Sequence, residues 1–126
     1  MLALVLDDSR AMRMILRRIL VDIGFEVVEA ADGAQGLEVV SSGRVPDLAL
    51  VDWNMPVMDG LQFVSAVRAT PELRRMTLMM VTTESEHGQI VRALAAGAHE
   101  YVIKPFTNEA ILDKLSLLGL MPASAV

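Results

Sequence analysis

The sequence predicts an α/β fold in which five parallel strands form one sheet and five helices cover both of its faces. Short apolar runs without alternating polar residues are typical of strands that are buried on both sides of a parallel sheet. Segments of helical periodicity separate these runs along the chain, which is the pattern of β-α-β crossovers. The 126 residues suffice for one hydrophobic core but not for two. We therefore predict one doubly wound α/β domain.

The predicted strands are short, and four of them end in polar residues that can take part in chemistry. The five runs cover residues 2–6, 26–30, 48–51, 78–81 and 101–103. The polar residues that follow four of them are Asp7-Asp8, Asp52, Thr82-Thr83 and Lys104-Pro105. In an open parallel sheet, ligands bind outside the carboxyl ends of the strands. We therefore expect three carboxylates, a hydroxyl and an ammonium at one edge, a group suited to a divalent cation and a phosphoryl group.

The first two helices have clear sequence boundaries. Ser9 is a good N-cap for the first helix, which we expect to end at Gly24. Asp32 can cap the second helix, and Ser41-Ser42-Gly43 ends it. The predicted inward-facing residues of these helices are Met12, Leu16, Ile19, Leu20, Ile23, Leu37 and Val40.

The last three helices are bounded by similar signals. Asp59-Gly60 opens the third helix, and Thr70-Pro71 stops it because the residue before a proline avoids the helical conformation. The fourth helix is predicted at 86–96 with Gly97 as its stop, and the last helix begins after Thr107 and ends at Gly119. The predicted inward-facing residues are Leu61, Val64, Val67, Ile90, Leu94, Ile111, Leu112, Leu115 and Leu118.

Several of the polar residues also have a purely structural interpretation. Asp7-Asp8 is compatible with a solvated turn that caps the first helix. Thr82 suits a strand because it is β-branched, and Tyr101 is compatible with a half-buried aromatic residue whose hydroxyl lies in water. However, two adjacent carboxylates repel each other unless a cation neutralises them. Mg²⁺ prefers such hard oxygen ligands, so the metal-site interpretation is favoured.

The chemical interpretation depends most on Asp52 and Lys104. Asp52 adds a third carboxylate from the neighbouring strand, and a rigid strand end open to solvent suits a nucleophile. Lys104 is compatible with an ordinary surface lysine, but an ammonium at this edge would pair with the acids and with the oxygens of a phosphoryl group. The Lys104-Pro105 bond is a candidate cis peptide, since such bonds are found almost only before proline.

The composition excludes several classes of protein. The chain has no cysteine, so disulfides and thiolate metal sites are excluded, and we expect a cytoplasmic location. Its net charge of −5 argues against direct nucleic-acid binding, which needs a basic face. The apolar stretches are too short to span a bilayer, so we expect no membrane insertion. The N-terminal residues do not have the basic region followed by an apolar segment that is typical of a signal peptide, because the first strand begins at Leu2.

Four motifs of the chain are distinctive in combination. They are Leu-Asp-Asp-Ser at 6–9, Val-Asp-Trp-Asn-Met-Pro-Val-Met-Asp-Gly at 51–60, Met-Val-Thr-Thr-Glu at 80–84, and Ala-Gly-Ala-His-Glu-Tyr-Val-Ile-Lys-Pro-Phe-Thr at 96–107. Together they closely resemble the motifs of receiver domains of two-component response regulators, most of all the stand-alone chemotaxis regulators of the CheY type. The likeness covers essentially the whole chain. It implies a flavodoxin-like (CheY-like) sheet with strand order 2-1-3-4-5 and five helices.

The resemblance implies a phosphorylation site with a bound metal. Asp52 looks like the phosphoacceptor, which takes a phosphoryl group from a phosphohistidine of a sensor histidine kinase or a phosphotransfer protein. Asp8, Asp52 and the backbone carbonyl of Asn54 would bind Mg²⁺ directly. Asp7 would act through a metal-bound water. The family acts as a signalling switch, so we expect no enzyme in the ordinary sense.

The resemblance also implies a mechanism for switching and resetting. Lys104 and the Thr82 hydroxyl would bind the phosphoryl oxygens. Thr82 and Tyr101 look like a coupled pair, in which the threonine moves toward the phosphoryl group and the tyrosine turns inward. The surface of the fourth helix, fifth strand and last helix would then change its affinity for a target protein. Asn54 and Glu84 flank the path of an attacking water and look like residues that tune dephosphorylation.

Two departures from the family pattern bear on function. Thr83 stands where the family usually has Ala, Gly or Ser, and its bulk is expected to narrow access to Asp52. The last helix ends at Gly119 with no linker toward an output domain. We therefore expect a receiver domain at 1–121, a short C-terminal tail at 122–126 and a single-domain regulator. For the oligomeric state, which the sequence leaves open, a monomer is the default expectation.

Other functions remain as alternatives. Within the class, these are a receiver fragment of a longer regulator, a phosphorelay intermediate, or a degenerate receiver that takes no phosphate. A Mg²⁺-dependent phosphatase with an aspartyl nucleophile would need an acid two residues after the nucleophile, where this chain has Asn54. A flavodoxin-like cofactor binder would need a Ser/Thr/Gly-rich phosphate loop after the first strand, and residues 7–10 are Asp-Asp-Ser-Arg.

Overall fold

The computed structural model describes residues 1–121, so the predicted tail at 122–126 lies outside the described residues. Its five strands are β1 (Leu2–Leu6), β2 (Glu26–Ala30), β3 (Leu48–Val51), β4 (Thr77–Thr82) and β5 (Glu100–Ile103). Its five helices are α1 (Arg10–Asp22), α2 (Gly33–Ser41), α3 (Gly60–Ala69), α4 (His87–Ala96) and α5 (Asn108–Leu117). A short 3₁₀ turn, Pro71–Leu73, follows α3.

The strands form one parallel sheet in the order β2-β1-β3-β4-β5, which confirms the predicted topology. The register aligns the ends of the inner strands, because Leu6 is opposite Val51 and Val51 is opposite Met80. Thr82 is opposite Ile103 on the last strand. The residues that follow β1, β3 and β5, together with the end of β4, therefore meet at one edge, which we call the carboxyl edge.

Alternate residues of the strands fill two apolar layers, one on each face of the sheet. One layer joins the sheet to α2, α3 and α4; its fully enclosed side chains include Leu6, Val51, Phe63 and Met80. The other joins the sheet to α1 and α5 through residues such as Val5, Leu50, Leu16, Ile111 and Leu115. Burial on both faces explains why the inner strands are continuous apolar runs.

The helix boundaries follow the capping residues expected from the sequence. Each of four N-cap side chains accepts a hydrogen bond from the backbone N–H three residues further on: Ser9, Asp32, Asp59 and Thr107. Glycines with positive φ follow α1, α4 and α5, namely Gly24, Gly97 and Gly119. Such caps satisfy backbone groups that a helix end leaves free. Within residues 1–121, no helix is long and apolar enough to cross a membrane.

The prediction that Leu94 faces the core is wrong. Its side chain is 44% exposed, whereas its neighbour Ala93 is fully buried. Helix α4 therefore contacts the sheet through a small residue, with Ile90 partly buried beside it. Periodicity places both Ala93 and Leu94 near the inward side of the helix. The sequence favoured the larger leucine as the buried residue, because alanine has little apolar surface to bury. Phe63 was absent from the predicted core but is fully buried in α3.

Candidate functional site

Three carboxylates lie together at the carboxyl edge, as the sequence predicted. Asp7 and Asp8 follow β1, and Asp52 follows β3. Each offers one oxygen, and these oxygens lie within 4.8 Å of one another. Asp7 and Asp52 are buried, whereas Asp8 is exposed. The edge therefore concentrates negative charge in a place that is largely withdrawn from water.

The ammonium of Lys104 approaches two of these carboxylates. Its Nζ atom lies 2.7 Å from Asp7 Oδ2 and 3.6 Å from Asp52 Oδ2. The backbone N–H of Lys104 donates to the carbonyl of Thr82, which fixes the start of the loop after β5. The Lys104-Pro105 peptide bond is cis, as the sequence suggested. One ammonium against three carboxylates leaves an excess of negative charge.

Asp52 has one engaged oxygen and one that faces the lysine. Its Oδ1 atom accepts a hydrogen bond of 2.9 Å from the backbone N–H of Trp53. Burial raises the pKa of Asp52 above its ordinary value; Lys104 opposes this, and the neighbouring Asp7 carboxylate adds to it. Hydrogen bonding by the Thr82 hydroxyl and the Trp53 N–H also lowers this pKa. The group is thus a carboxylate held in a poorly solvated position, which makes it more basic than an ordinary aspartate.

Thr82 and Tyr101 both bind the backbone of Glu84. The Thr82 side chain is fully buried, and its Oγ1 accepts a 3.4 Å hydrogen bond from the Glu84 N–H. Tyr101 is also buried, and its hydroxyl donates to the Glu84 carbonyl at 2.5 Å. The alternative in which the Tyr101 hydroxyl lies in water is therefore wrong. Burial, together with the nearby carboxylates of Glu84 and Asp52, raises the pKa of the Tyr101 phenol.

The side chains of Asn54, in the loop after β3, and Glu84, in the loop after β4, form a hydrogen bond. The Asn54 side-chain amide donates a 2.6 Å hydrogen bond to Glu84 Oε1. Thirty residues separate the two in the sequence, so their pairing was not apparent from any local pattern. Thr83, whose bulk was expected to narrow access to Asp52, is exposed.

Two residues that hold the site were not recognised from the sequence as functional. A Cβ atom added to Gly60 would lie 2.1 Å from the carbonyl oxygen of Asp52, so only glycine fits there. The Gly60 N–H also donates to the Trp53 carbonyl at 2.8 Å. Arg13, on α1, donates from Nη1 to the Asp7 carbonyl at 2.8 Å and pairs through Nε with Glu29 at 3.1 Å. The sequence Asp59-Gly60 indicated the start of a helix. No sequence pattern indicated the contact of Gly60 with Asp52 or that of Arg13 with Asp7.

The donors at this edge suit a hard divalent cation. Mg²⁺ is bound in proteins by carboxylate and carbonyl oxygens and retains several waters. The three clustered carboxylates supply such oxygens, and the exposed Asp8 leaves the group open toward solvent. Because the single ammonium does not balance the three acids, a cation would relieve their mutual repulsion. The residues present therefore fit a magnesium ion.

The fold and these residues agree with a comparison to known families. The sequence of this chain matches the family described as the response regulator receiver domain over residues 3–116. The chain belongs to this family. Receiver domains of this family are signalling switches that bind Mg²⁺ at an acidic pocket, and this chain has an acidic group formed by Asp7, Asp8 and Asp52.

Relatives of this receiver domain include proteins named for chemotaxis. It is 41% identical over 113 residues to chemotaxis protein CheY of Pseudomonas aeruginosa, spanning 89% of this chain and 90% of that protein. It is 37% identical over 116 residues to chemotaxis protein CheY1 of Helicobacter pylori strain J99, spanning 91% of this chain and 94% of that protein. The receiver domain is therefore CheY-like over nearly its whole length.

Solved structures give the same result. Chemotaxis response regulator CheY4 of Vibrio cholerae is 36% identical, with a TM-score of 0.86 over 93% of this chain and 97% of that chain. A CheY-like receiver domain protein from Methanospirillum hungatei is 29% identical, with a TM-score of 0.84 over 93% of this chain and 91% of that one.

Proposed function

We propose that this receiver domain is a two-component response regulator that accepts a phosphoryl group on Asp52. The donor is a phosphohistidine on a sensor histidine kinase or a phosphotransfer protein, and the output is a change in the surface formed by α4, β5 and α5. The observation that carries this proposal is the convergence of three carboxylates and Lys104 at the carboxyl edge. Phosphoryl transfer needs mainly positioning and charge neutralisation, which this group can provide.

The proposed metal ligands are Asp8, Asp52 and the backbone carbonyl of Asn54, with Asp7 acting through a metal-bound water. The clustering of the three carboxylates supports this assignment. When bound, Mg²⁺ would neutralise the charge that the carboxylates and an incoming phosphoryl group bring together. Lys104 already occupies one side of Asp7, at 2.7 Å.

In the proposed reaction, Asp52 Oδ2 attacks the phosphorus of the phosphohistidine. Oδ1 is held by the Trp53 N–H, so Oδ2 is the oxygen available as nucleophile. An O–P bond forms as the P–N bond breaks, and the imidazole of the donor leaves with the electron pair of that bond. The Lys104 ammonium stabilises the negative phosphoryl oxygens, and the Thr82 hydroxyl donates to one of them.

The switch is proposed to act through the backbone of Glu84. Thr82 accepts from its N–H, and Tyr101 donates to its carbonyl. If the Thr82 hydroxyl turned toward the phosphoryl group, it would release the Glu84 N–H, and the loop that Tyr101 contacts would move. Exposed apolar side chains on α4 and β5, namely Val91, Leu94 and Ile103, would then be presented differently to a target protein.

Resetting is proposed to occur by hydrolysis of the acyl phosphate. Asn54, two residues after Asp52, hydrogen-bonds to Glu84, two residues after Thr82, so the pair joins the loops that follow β3 and β4 beside the proposed path of an attacking water. This supports their role in setting the lifetime of the phosphorylated state. The relatives named for chemotaxis support a role in chemotaxis for this protein as well.

The test is phosphorylation by a small-molecule acyl phosphate in Mg²⁺, read as intact mass, with Asp52→Asn as the control. We expect one phosphoryl adduct that requires Mg²⁺ and is absent from the control. Trp53, next to Asp52 and the only tryptophan, should report metal and phosphoryl binding by its fluorescence. An adduct that persists in Asp52→Asn would contradict the assignment of the acceptor. Sustained turnover of an organic phosphate ester would favour the phosphatase, which the neutral amide at Asn54 disfavours.

A further inference from the structure

Helix α4 is held to the rest of the molecule by few buried groups. Of its ten residues, all within the described part of the chain, Ala93 alone is fully buried. Its N-cap, Glu86, forms no side-chain capping hydrogen bond. Val91 and Leu94 on this helix are exposed. A helix with so little buried apolar surface depends on its remaining contacts for its position.

One of those contacts reaches the residue that follows the phosphoacceptor. The guanidinium carbon of Arg92, on α4, lies 5.7 Å from the centre of the Trp53 ring. This is within the range of a cation–π interaction, and tryptophan is the aromatic residue that forms the strongest ones. Arg92 Nη1 also donates to Gln89 Oε1 at 3.3 Å, which helps to orient the side chain along the helix.

Trp53 is itself fixed to the phosphoacceptor. Its side chain is only 7% exposed and packs within the apolar layer on the α2–α4 face of the sheet. Its N–H donates to Asp52 Oδ1, and its carbonyl accepts from the Gly60 N–H. Arg92 therefore contacts a buried residue whose backbone N–H binds Asp52 directly.

From these contacts we infer that Arg92 is a positioning residue that couples helix α4 to the phosphoacceptor through Trp53. This inference rests on the proposed function, because it assigns a route by which the state of Asp52 reaches the output surface. The route is separate from the one through Thr82, Glu84 and Tyr101. Arg92 does not touch the reacting atoms; it acts by holding α4 against the residue next to them.

The variants for the test are Arg92→Gln, Arg92→Lys and Arg75→Gln. Arg92→Gln removes the charge and the planar group, whereas Arg92→Lys keeps the charge alone. Arg75 is exposed in the turn before β4, so Arg75→Gln is a control with the same change in net charge. The first readout is quenching of Trp53 fluorescence by acrylamide. Arg92→Gln should increase quenching, because the side chain that covers the ring has been shortened; quenching equal to that of Arg75→Gln would overturn the inference.

The second readout is amide hydrogen exchange of residues 87–96, with and without phosphorylation by the acyl phosphate. In the unphosphorylated protein, Arg92→Gln should exchange about two- to fivefold faster in α4 than Arg75→Gln, with Arg92→Lys between them. Coupling further predicts that the change in α4 exchange caused by phosphorylation shrinks in Arg92→Gln. If Arg92→Gln accelerated exchange by the same factor in both states, its role would be structural only, and the inference would be wrong.

The two proposals fail in different ways. If the wild-type protein accepts no phosphoryl group, the proposed function fails irrespective of Arg92. If the wild-type protein and both Arg92 variants are phosphorylated, but phosphorylation changes α4 exchange equally in all of them, the function stands and the coupling is refuted. Helix α5 (108–117) provides the internal reference in the unphosphorylated protein, since Arg92 makes no described contact with it and its exchange in that state should not differ among the variants.

Discussion

At the scale of single residues, the carboxylates that suit a bound cation also lower the stability of the protein when no cation is bound. Asp7 and Asp52 are buried and share the Lys104 ammonium, whereas Asp8 is exposed beside them. Asp8 therefore adds negative charge to a pair that is already neutralised only in part. Carboxylates held this close repel each other unless a cation binds. Residues arranged for a ligand often reduce the stability of the unliganded protein in this way.

The Asp8→Asn variant should accordingly be more stable than the wild type without Mg²⁺, by on the order of 0.5–1 kcal/mol in the free energy of unfolding. It should also gain less stability when Mg²⁺ is added, because the stabilisation by a ligand grows with the logarithm of its affinity for the folded state. Urea unfolding with and without Mg²⁺ would measure both effects. Asp113→Asn, at an exposed position on α5, is the control for net charge. Equal stabilisation by Mg²⁺ in Asp8→Asn and the control would contradict the proposed ligand.

At the scale of elements, the start of α3 determines where Asp52, the proposed phosphoacceptor, lies. Asp59 and Gln62 form a reciprocal capping pair at this helix terminus. Gly60, the first residue of the helix, lies directly against the Asp52 carbonyl, and a Cβ atom there would approach it to 2.1 Å. The close approach of helix and strand loop is possible only because the glycine has no side chain.

Gly60→Ala should therefore destabilise the protein by about 1–3 kcal/mol, since the backbone at Asp52 must move to accommodate the methyl group. The same displacement should slow phosphorylation by the acyl phosphate. Gly88→Ala is the matched control, because nothing lies within 4 Å of a Cβ atom at Gly88 in α4. That change should stabilise the protein by about 0.5–1 kcal/mol, as alanine is the better helix former. The measurements are urea unfolding and phosphorylation rate; equal effects of the two substitutions would refute the steric argument.

At the scale of the whole molecule, Arg68 and His99 hold the edge of the sheet that lies opposite the carboxyl edge. Arg68, near the end of α3, donates to the carbonyls of Gly97, Arg74 and Met76. Its Nη2 also lies 3.0 Å from His99 Nδ1, which accepts a hydrogen bond from the Leu78 N–H at 3.1 Å. These bonds join α3, the turn after α4 and the start of β4. They require His99 Nδ1 to be an acceptor, which is possible only in the neutral imidazole.

This arrangement predicts a loss of stability in mild acid. Burial and the Arg68 charge lower the pKa of His99 below its ordinary value of 6.5, so the unfolded chain takes up a proton before the folded one does. The stability that the neutral His99 contributes is therefore complete above the unfolded pKa and is lost as the pH falls below it. His99→Asn offers an acceptor oxygen that does not titrate. Urea unfolding between about pH 7 and 5.5 should show a steeper loss for the wild type than for His99→Asn; equal slopes would exclude the histidine as the cause.

The sequence by itself determined the features that depend on neighbouring residues. The strand order came from the family resemblance. The apolar runs, the four N-caps and the helix-ending glycines were predicted from local patterns, because burial and capping act over a few residues. The meeting of Asp7, Asp52 and Lys104 was also predictable. In a parallel sheet the carboxyl ends of the strands lie at one edge, so residues that follow the strands must approach each other.

Only the tertiary structure decided which side chains face each other across segments that are distant in sequence. The hydrogen bond from Asn54 to Glu84, the packing of Arg92 on Trp53 and the fit of Gly60 against Asp52 each depend on how two elements pack. The exposure of Leu94 has the same origin, because periodicity defines an apolar stripe but not which residue of that stripe contacts the sheet. A local pattern specifies the elements and their ends. The distances and directions of side chains between elements arise only when the core is packed.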